Sequence, residues 1–349
     1  ATTPVVETPV VETPVVETPV VETPVVVAPT VNTITQALLD FVSGDTLAGT
    51  DGDDVLNIEI NSALGATTTI SAIETINVTG YGALSVDFTA ITDVTKFVTT
   101  GSTGQVTLNN ITDASMVIGF AGTGTNNIFA NYKAGTLTGN DDTLNIDLSG
   151  ATAVALDADA GFENISLTTG GAASSGAQAA TAASSLTTLT VPGVTTIDMV
   201  GAGTLTLNST FAGMTSIDAS TMTGAVVGST INATSGLSTE GFTGATAGTT
   251  LKLGSGADNI KFTDSTSAAT GSNTIKLGAG DDTADIVTGG SGATYVFGEA
   301  GDDTVQINGI ASTDLVDLGT GDDTLIADGT NASAILRDGS SEQLALWAV

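Results

Sequence analysis

Leu277-Gly278-Ala279-Gly280-Asp281-Asp282-Thr283 is a strand residue, a glycine-rich turn carrying two acids, and a return to a β-branched strand. The same design occupies Leu253-Gly254-Ser255-Gly256-Ala257-Asp258-Asn259-Ile260, Gly298-Glu299-Ala300-Gly301-Asp302-Asp303-Thr304-Val305 and Leu318-Gly319-Thr320-Gly321-Asp322-Asp323-Thr324-Leu325. Taking Leu253, Leu277, Phe297 and Leu318 as equivalent positions gives steps of 24, 20 and 21 residues. A period near 20 with no helix between copies is one turn of a parallel solenoid.

The period extends towards the N-terminus without the acids. Ala72-Ile73-Glu74-Thr75-Ile76-Asn77-Val78 is echoed by Gly161-Phe162-Glu163-Asn164-Ile165-Ser166-Leu167, by Val194-Thr195-Thr196-Ile197-Asp198 and by Met214-Thr215-Ser216-Ile217-Asp218. Ile197 to Ile217 is 20 residues and Ile76 to Phe97 is 21. The fold expected is all-β, a parallel β-helix or β-roll solenoid with rungs of about 20 residues, preceded by a proline-rich extended stalk. Residues 1–30 form that stalk or linker, because Val-Val-Glu-Thr-Pro recurs with Pro4, Pro9, Pro14, Pro19, Pro24 and Pro29, and proline fixes φ and holds its neighbour extended. Residues 31–45 read as a short helical cap or connector, with helix-like apolar spacing over Ile34–Phe41 and Gly44 as a stop. Residues 46–250 read as a Thr/Asn-rich solenoid, 251–330 as the acid-turn solenoid, and 331–349 as a C-terminal cap or export signal. The Ala/Ser/Gly-rich stretch from Gly170 to Ser185 reads as a loop or short helix pushed out of one rung.

Composition fits this. Only 14 residues are aromatic (ten Phe, three Tyr, one Trp), so the core must come from Val, Ile, Leu and Ala. With 41% hydrophobic and 13% charged residues, the chain is outside the disordered class. Thirty-eight acids against six bases give a net charge of −32, which excludes nucleic acid as a partner. No apolar run is long enough to span a membrane. Cysteine and histidine are absent, so disulfides, zinc and histidine acid/base chemistry drop out and no enzyme activity is expected. Hard divalent cations, which take carboxylate and carbonyl oxygens, are the partners such a surface fits, with Ca2+ foremost.

The candidate calcium ligands follow from the turns. Glycines permit positive φ and aim carbonyls inward while Asp reaches the ion. In the four registered turns these are Gly254, Gly256, Asp258; Gly278, Gly280, Asp281, Asp282; Gly298, Gly301, Asp302, Asp303; and Gly319, Gly321, Asp322, Asp323. Ala257 replaces the first Asp of its pair, and Ala300 is expected to lengthen the turn at Gly298. Two further turns stand alone, Gly49, Asp51, Asp53, Asp54 and Asp141, Asp142, and must borrow ligands from neighbouring acids. One ion-lined edge, concentrated between Gly254 and Asp323, is the expectation.

Residues 251–327 resemble the glycine- and aspartate-rich repeats of RTX proteins, a calcium-binding β-roll family exported by type I secretion, through a shared G-x-G-x-D-x-apolar core. They depart from that family in spacing, since RTX nonapeptides are tandem and the turn here recurs every 20 to 24 residues. The mixture of isolated turns, Thr-rich rungs and a final cluster resembles the S-layer proteins of Gram-negative bacteria. The resemblance implies a secreted, extracellular or cell-surface structural protein. It would assemble with calcium into a homo-oligomeric lattice or filament, with cell-surface polysaccharide or lipopolysaccharide as a further partner. The alternative is an RTX-type stalk or module of a secreted adhesin or enzyme whose active domain lies elsewhere.

Overall fold

The computed structural model describes residues 31–349 except 39, 125, 171–181, 208–209, 229–240, 245–247, 265–269, 290, 329–334, 338–344 and 349. The proline repeat, most of the Gly170–Ser185 stretch and much of the 331–349 segment therefore lie outside the described residues. The rest is a parallel β-solenoid of about 12 turns with rungs of about 21 residues. Two 14-stranded parallel sheets are built from strands that alternate along the chain. The first sheet runs from Asn32–Gln36 through Asp54–Ile60 and Asn273–Ala279 to Ile335–Arg337, and the second from Leu84–Asp87 through Asn259–Thr263 and Thr283–Val287 to Ala345–Ala348. A small third sheet pairs Thr46–Ala48 with Thr69–Ser71. Among the described residues the only helix is a three-residue 3-10 turn, Phe88–Ala90, and no helix is long and apolar enough to cross a membrane.

Strand alternation explains why so few aromatics suffice. Inward side chains stack in register from rung to rung: Leu144, Ile165, Ile197, Ile217, Leu251, Ile275, Val296 and Val316 form one fully buried column on the first sheet. Each such side chain contributes about 1.5–3 kcal/mol by leaving water, and each is covered only when its neighbours above and below are in place. The outward positions carry Thr, Asn and charge. Asn77 Nδ2 donates to its register partner Asn57 Oδ1 at 2.8 Å, the short ladder expected of in-register parallel strands, and Asn131 Nδ2 donates to Asn109 Oδ1 at 3.0 Å where the register shifts between Ala130 and Tyr132. Lys96 crosses two rungs to reach Asp147 at 2.6 Å. Gly119, which pairs with Val98 on one side and Asp147 on the other, lies on the strand between them.

Two expectations are corrected. The segment expected as a helical cap forms a strand at Asn32–Gln36, paired in parallel with Asp54–Ile58. Its β-branched Thr33, Ile34 and Thr35 suit the pleat, and the otherwise open edge of the first sheet supplies a backbone partner that an isolated short helix lacks. Phe297 is not equivalent to Leu277: it pairs with Lys276 and faces outward, half-buried, while Gly278 pairs with Glu299 and Ala279 with Ala300. The turn is thus not lengthened by Ala300. Gly298 stands in the inward place of Leu277, and Glu299, at φ 77°, adopts the left-handed conformation that Gly278 and Gly319 take at 103° and 92°.

Candidate cation site

The four registered turns all lie at the corner where a first-sheet strand passes into a second-sheet strand, and the two acids of each pair do different work. The second acid is buried in every copy: Asp258, Asp282, Asp303 and Asp323 are 1–6% exposed. Each reaches back to a backbone amide of the preceding rung. The Val226 N–H donates to Asp258 Oδ1, the Asp258 N–H to Asp282 Oδ1 at 2.7 Å, the Asp282 N–H to Asp303 Oδ1 at 3.0 Å, and the Asp303 N–H to Asp323 Oδ1 at 2.9 Å. The first acid is exposed and reaches forward. The Asp302 N–H donates to Asp281 Oδ1 at 3.0 Å and the Asp322 N–H to Asp302 Oδ1 at 2.8 Å. Ala257 occupies the exposed place, so its substitution leaves the buried column intact.

Bracing uses one oxygen of each buried carboxylate. The other, Oδ2, is buried without a hydrogen-bond partner in Asp258, Asp282 and Asp303. Burial, opposed only in part by the amide hydrogen bonds, pushes these carboxyls up to about 7, 8 and 7 respectively. Neighbouring carboxylates in the column add to the rise at Asp282 and Asp303. Bracing does not explain the charge, because Asn273 accepts the Thr249 N–H at 3.0 Å and Ser102 accepts the Gly80 N–H at 2.9 Å with no charge at all. Backbone carbonyl oxygens lie close along the stacked turns. A methyl group at Gly280, Gly301 or Gly321 would overlap the carbonyl of Gly256, Gly280 or Gly301 in the rung before, and one at Gly298 would overlap Asp303 Oδ2.

The two isolated turns stand at the other corner, where the chain enters the first sheet, so the acid turns occupy two edges and only one carries a stack. Neither isolated turn lacks a neighbour: the Asp54 N–H donates to Glu74 Oε2 at 2.7 Å, and the Asp142 N–H to Glu163 Oε2 at 3.0 Å. Glu74 and Glu163 belong to the acid-poor rungs and do there what aspartate does in the C-terminal column. Asp54 is satisfied, since the Thr50 N–H and hydroxyl both reach its Oδ2, and these bonds hold its carboxyl below the ordinary range. Asp142 Oδ2 is buried and unpartnered like those of the column. Asp51 and Asp53 are exposed, as is Asp141, which accepts from Asn164 Nδ2 at 3.0 Å.

Sequence reading passed over a second family of acids. Asp87, Asp113, Asp147 and Asp218 each accept, on Oδ1, both the N–H and the hydroxyl of a Ser or Thr two residues on. The signal was Asp-x-Ser/Thr at strand ends, which closes a turn locally. Asp314 was missed too: it accepts the Thr294 N–H at 2.8 Å and the Ala311 N–H at 2.7 Å.

Comparison with protein-family models, curated proteins and solved structures gives no match. The fit of calcium therefore rests on the donors themselves. They are all oxygen, they include buried carboxylate atoms without a hydrogen-bond partner, and at Gly298 no side chain can intrude between Asp303 Oδ2 and the Leu318 carbonyl. Among the described residues no three acids converge on one point. An ion here would take a carboxylate from one rung or two adjacent ones and complete its shell with carbonyls and water.

Proposed function

We propose that the chain is a calcium-dependent structural solenoid of the cell exterior, which assembles with copies of itself and has no catalytic role. The observation that carries the calcium reading is the column of unpartnered buried oxygens at Asp258, Asp282 and Asp303. A hard cation would supply the missing charge, and binding would be coupled to folding because the column exists only when successive rungs are stacked. Extracellular calcium modules bind at roughly 10⁻⁴–10⁻³ M, so the ion would stabilise the chain outside the cell and not in the cytosol. The self-assembly reading draws on the resemblance to S-layer proteins and on the length of the two sheets. The proline repeat favours a second reading, in which the solenoid is a stalk or module attached to an adhesin or enzyme.

Circular dichroism and electron microscopy of the purified chain, in millimolar calcium and then in chelator, test these readings. β-structure that melts at lower temperature in chelator, with ordered sheets or filaments that dissolve, is the expected result. An unchanged melting curve would remove the calcium reading, and monodisperse particles in both conditions would favour the stalk.

A further inference from the structure

Four successive strands of the first sheet carry Asp198, Asp218, Lys252 and Lys276 in one outward column, directly in register. Two acids followed by two bases form an order that is its own complement when reversed. A two-fold axis perpendicular to the solenoid, passing between the strands of Asp218 and Lys252, sets Asp218 against Lys252 of a second copy and Asp198 against Lys276. The next step outward opposes Ser166 and Phe297, so no like charges meet. Because strand spacing is about 4.8 Å in any sheet, the match holds along the column without adjustment.

We propose that this face pairs two copies of the chain, antiparallel, about that axis. The proposal rests on the self-assembly reading, for which it supplies one contact, and it does not require calcium. Three observations carry it. In a chain of net charge −32 with six bases, this column holds two of them against two acids and itself sums to zero, with Glu299 as a further acid beside Lys276, so a second copy meets less repulsion here than a uniformly acidic surface would give. The lysines are accessible: Lys252 lies 2.7 Å from Asp218 and Lys276 2.9 Å from Glu299, and each lysine side chain is 42% exposed. Exposed pairs of this kind are weak, so exchanging an internal partner for one across the axis costs little. The adjacent outward column, Thr196, Ser216, Thr250 and Thr274, is uniformly short, and Val200 stands exposed two residues beyond Asp198 on the same strand.

Two variants of the full chain test the pairing. One is acidic, Lys252→Asp with Lys276→Asp; the other is basic, Asp198→Lys with Asp218→Lys. Sedimentation in chelator should find the wild type dimeric at low salt, with the dimer weakened about tenfold or more near 0.5 M salt. Each variant alone should be monomeric at concentrations where the wild type pairs, and an equal mixture should form heterodimers, with circular dichroism confirming that both keep their β-structure. A monomeric wild type, a variant that dimerises like the wild type, or a mixture that stays monomeric would each overturn the proposal. Calcium-dependent sheets formed equally well by both variants would overturn this contact while leaving self-assembly standing. Dimers that form as described from a chain that never yields sheets or filaments would uphold the contact and remove the larger assembly.

Discussion

Asp282 accepts one amide through Oδ1 and leaves Oδ2 with nothing, whereas Asn273 accepts an amide in the same way without carrying a charge. That difference has a pH signature. With the cation absent, burial raises the folded-state values of Asp258, Asp282 and Asp303 to about 7 or 8 from an ordinary value of 3.8. The folded state therefore binds protons more tightly than the unfolded chain, and stability falls as pH rises from about 4 to about 8. Calcium favours the ionised form, so its binding should strengthen and release protons over that same interval. Urea titrations at pH 5 and pH 8, each with calcium and with chelator, should show the chelated protein more stable at pH 5 and the calcium response concentrated at pH 8. Asp282→Asn should flatten the pH dependence and weaken calcium binding while keeping the brace. A variant that binds calcium like the wild type would count against Asp282 as a ligand.

At the scale of the turn, the two acids of each pair are separable. Ala257→Asp restores the exposed acid to the one stacked turn that lacks it, placing a carboxylate where the amide of Asp281 can reach it. With chelator present its stability should stay within about 0.5 kcal/mol of wild type, and thermal melts would check this; a loss of several kcal/mol would mean that the outward position is not free. Much of this element was legible in advance. The period, the parallel rungs and the four registered turns follow from Gly-Asp spacing and β-branched runs, since a strand's alternation is written directly in its residues. Register was less legible, because Phe297 offered itself as the apolar equivalent of Leu277 while the backbone places Gly298 there and lets Glu299 take a positive φ. The helix expected near Ile34 failed for a non-local reason: a sheet edge needs a partner, and propensity over eight residues does not outweigh it. The division of each acid pair into an inward and an outward member was likewise invisible, because it depends on which rung each carboxylate reaches.

For the whole molecule, the backbone of each rung pairs only with the rungs next to it, and the Lys96–Asp147 ion pair is a side-chain contact that reaches further, so stability is close to a sum over repeats. Deleting residues 281–301, which joins Gly280 to Asp302, removes one full turn and preserves the Gly-Asp-Asp sequence at the junction. This variant should fold with its β-signal per residue unchanged and melt somewhat earlier. Removing about half a turn from the same place should abolish cooperative melting, because every strand beyond the junction is then carried to the opposite sheet, out of line with the columns before it. The scarcity of basic residues has a consequence for turnover. Trypsin cuts after lysine or arginine, and the six available sites are Lys96, Lys133, Lys252, Lys261, Lys276 and Arg337. Five lie within strands, and Lys133 follows the strand Asn127–Tyr132 with its N–H bonded to the Ile111 carbonyl at 2.9 Å. A protease must draw out an extended segment, so cleavage at a central site such as Lys261 requires several rungs to separate first. Tryptic half-life at such sites should therefore track unfolding of the stack, lengthening in calcium and shortening in chelator, in a chain whose proline repeat offers trypsin no site at all.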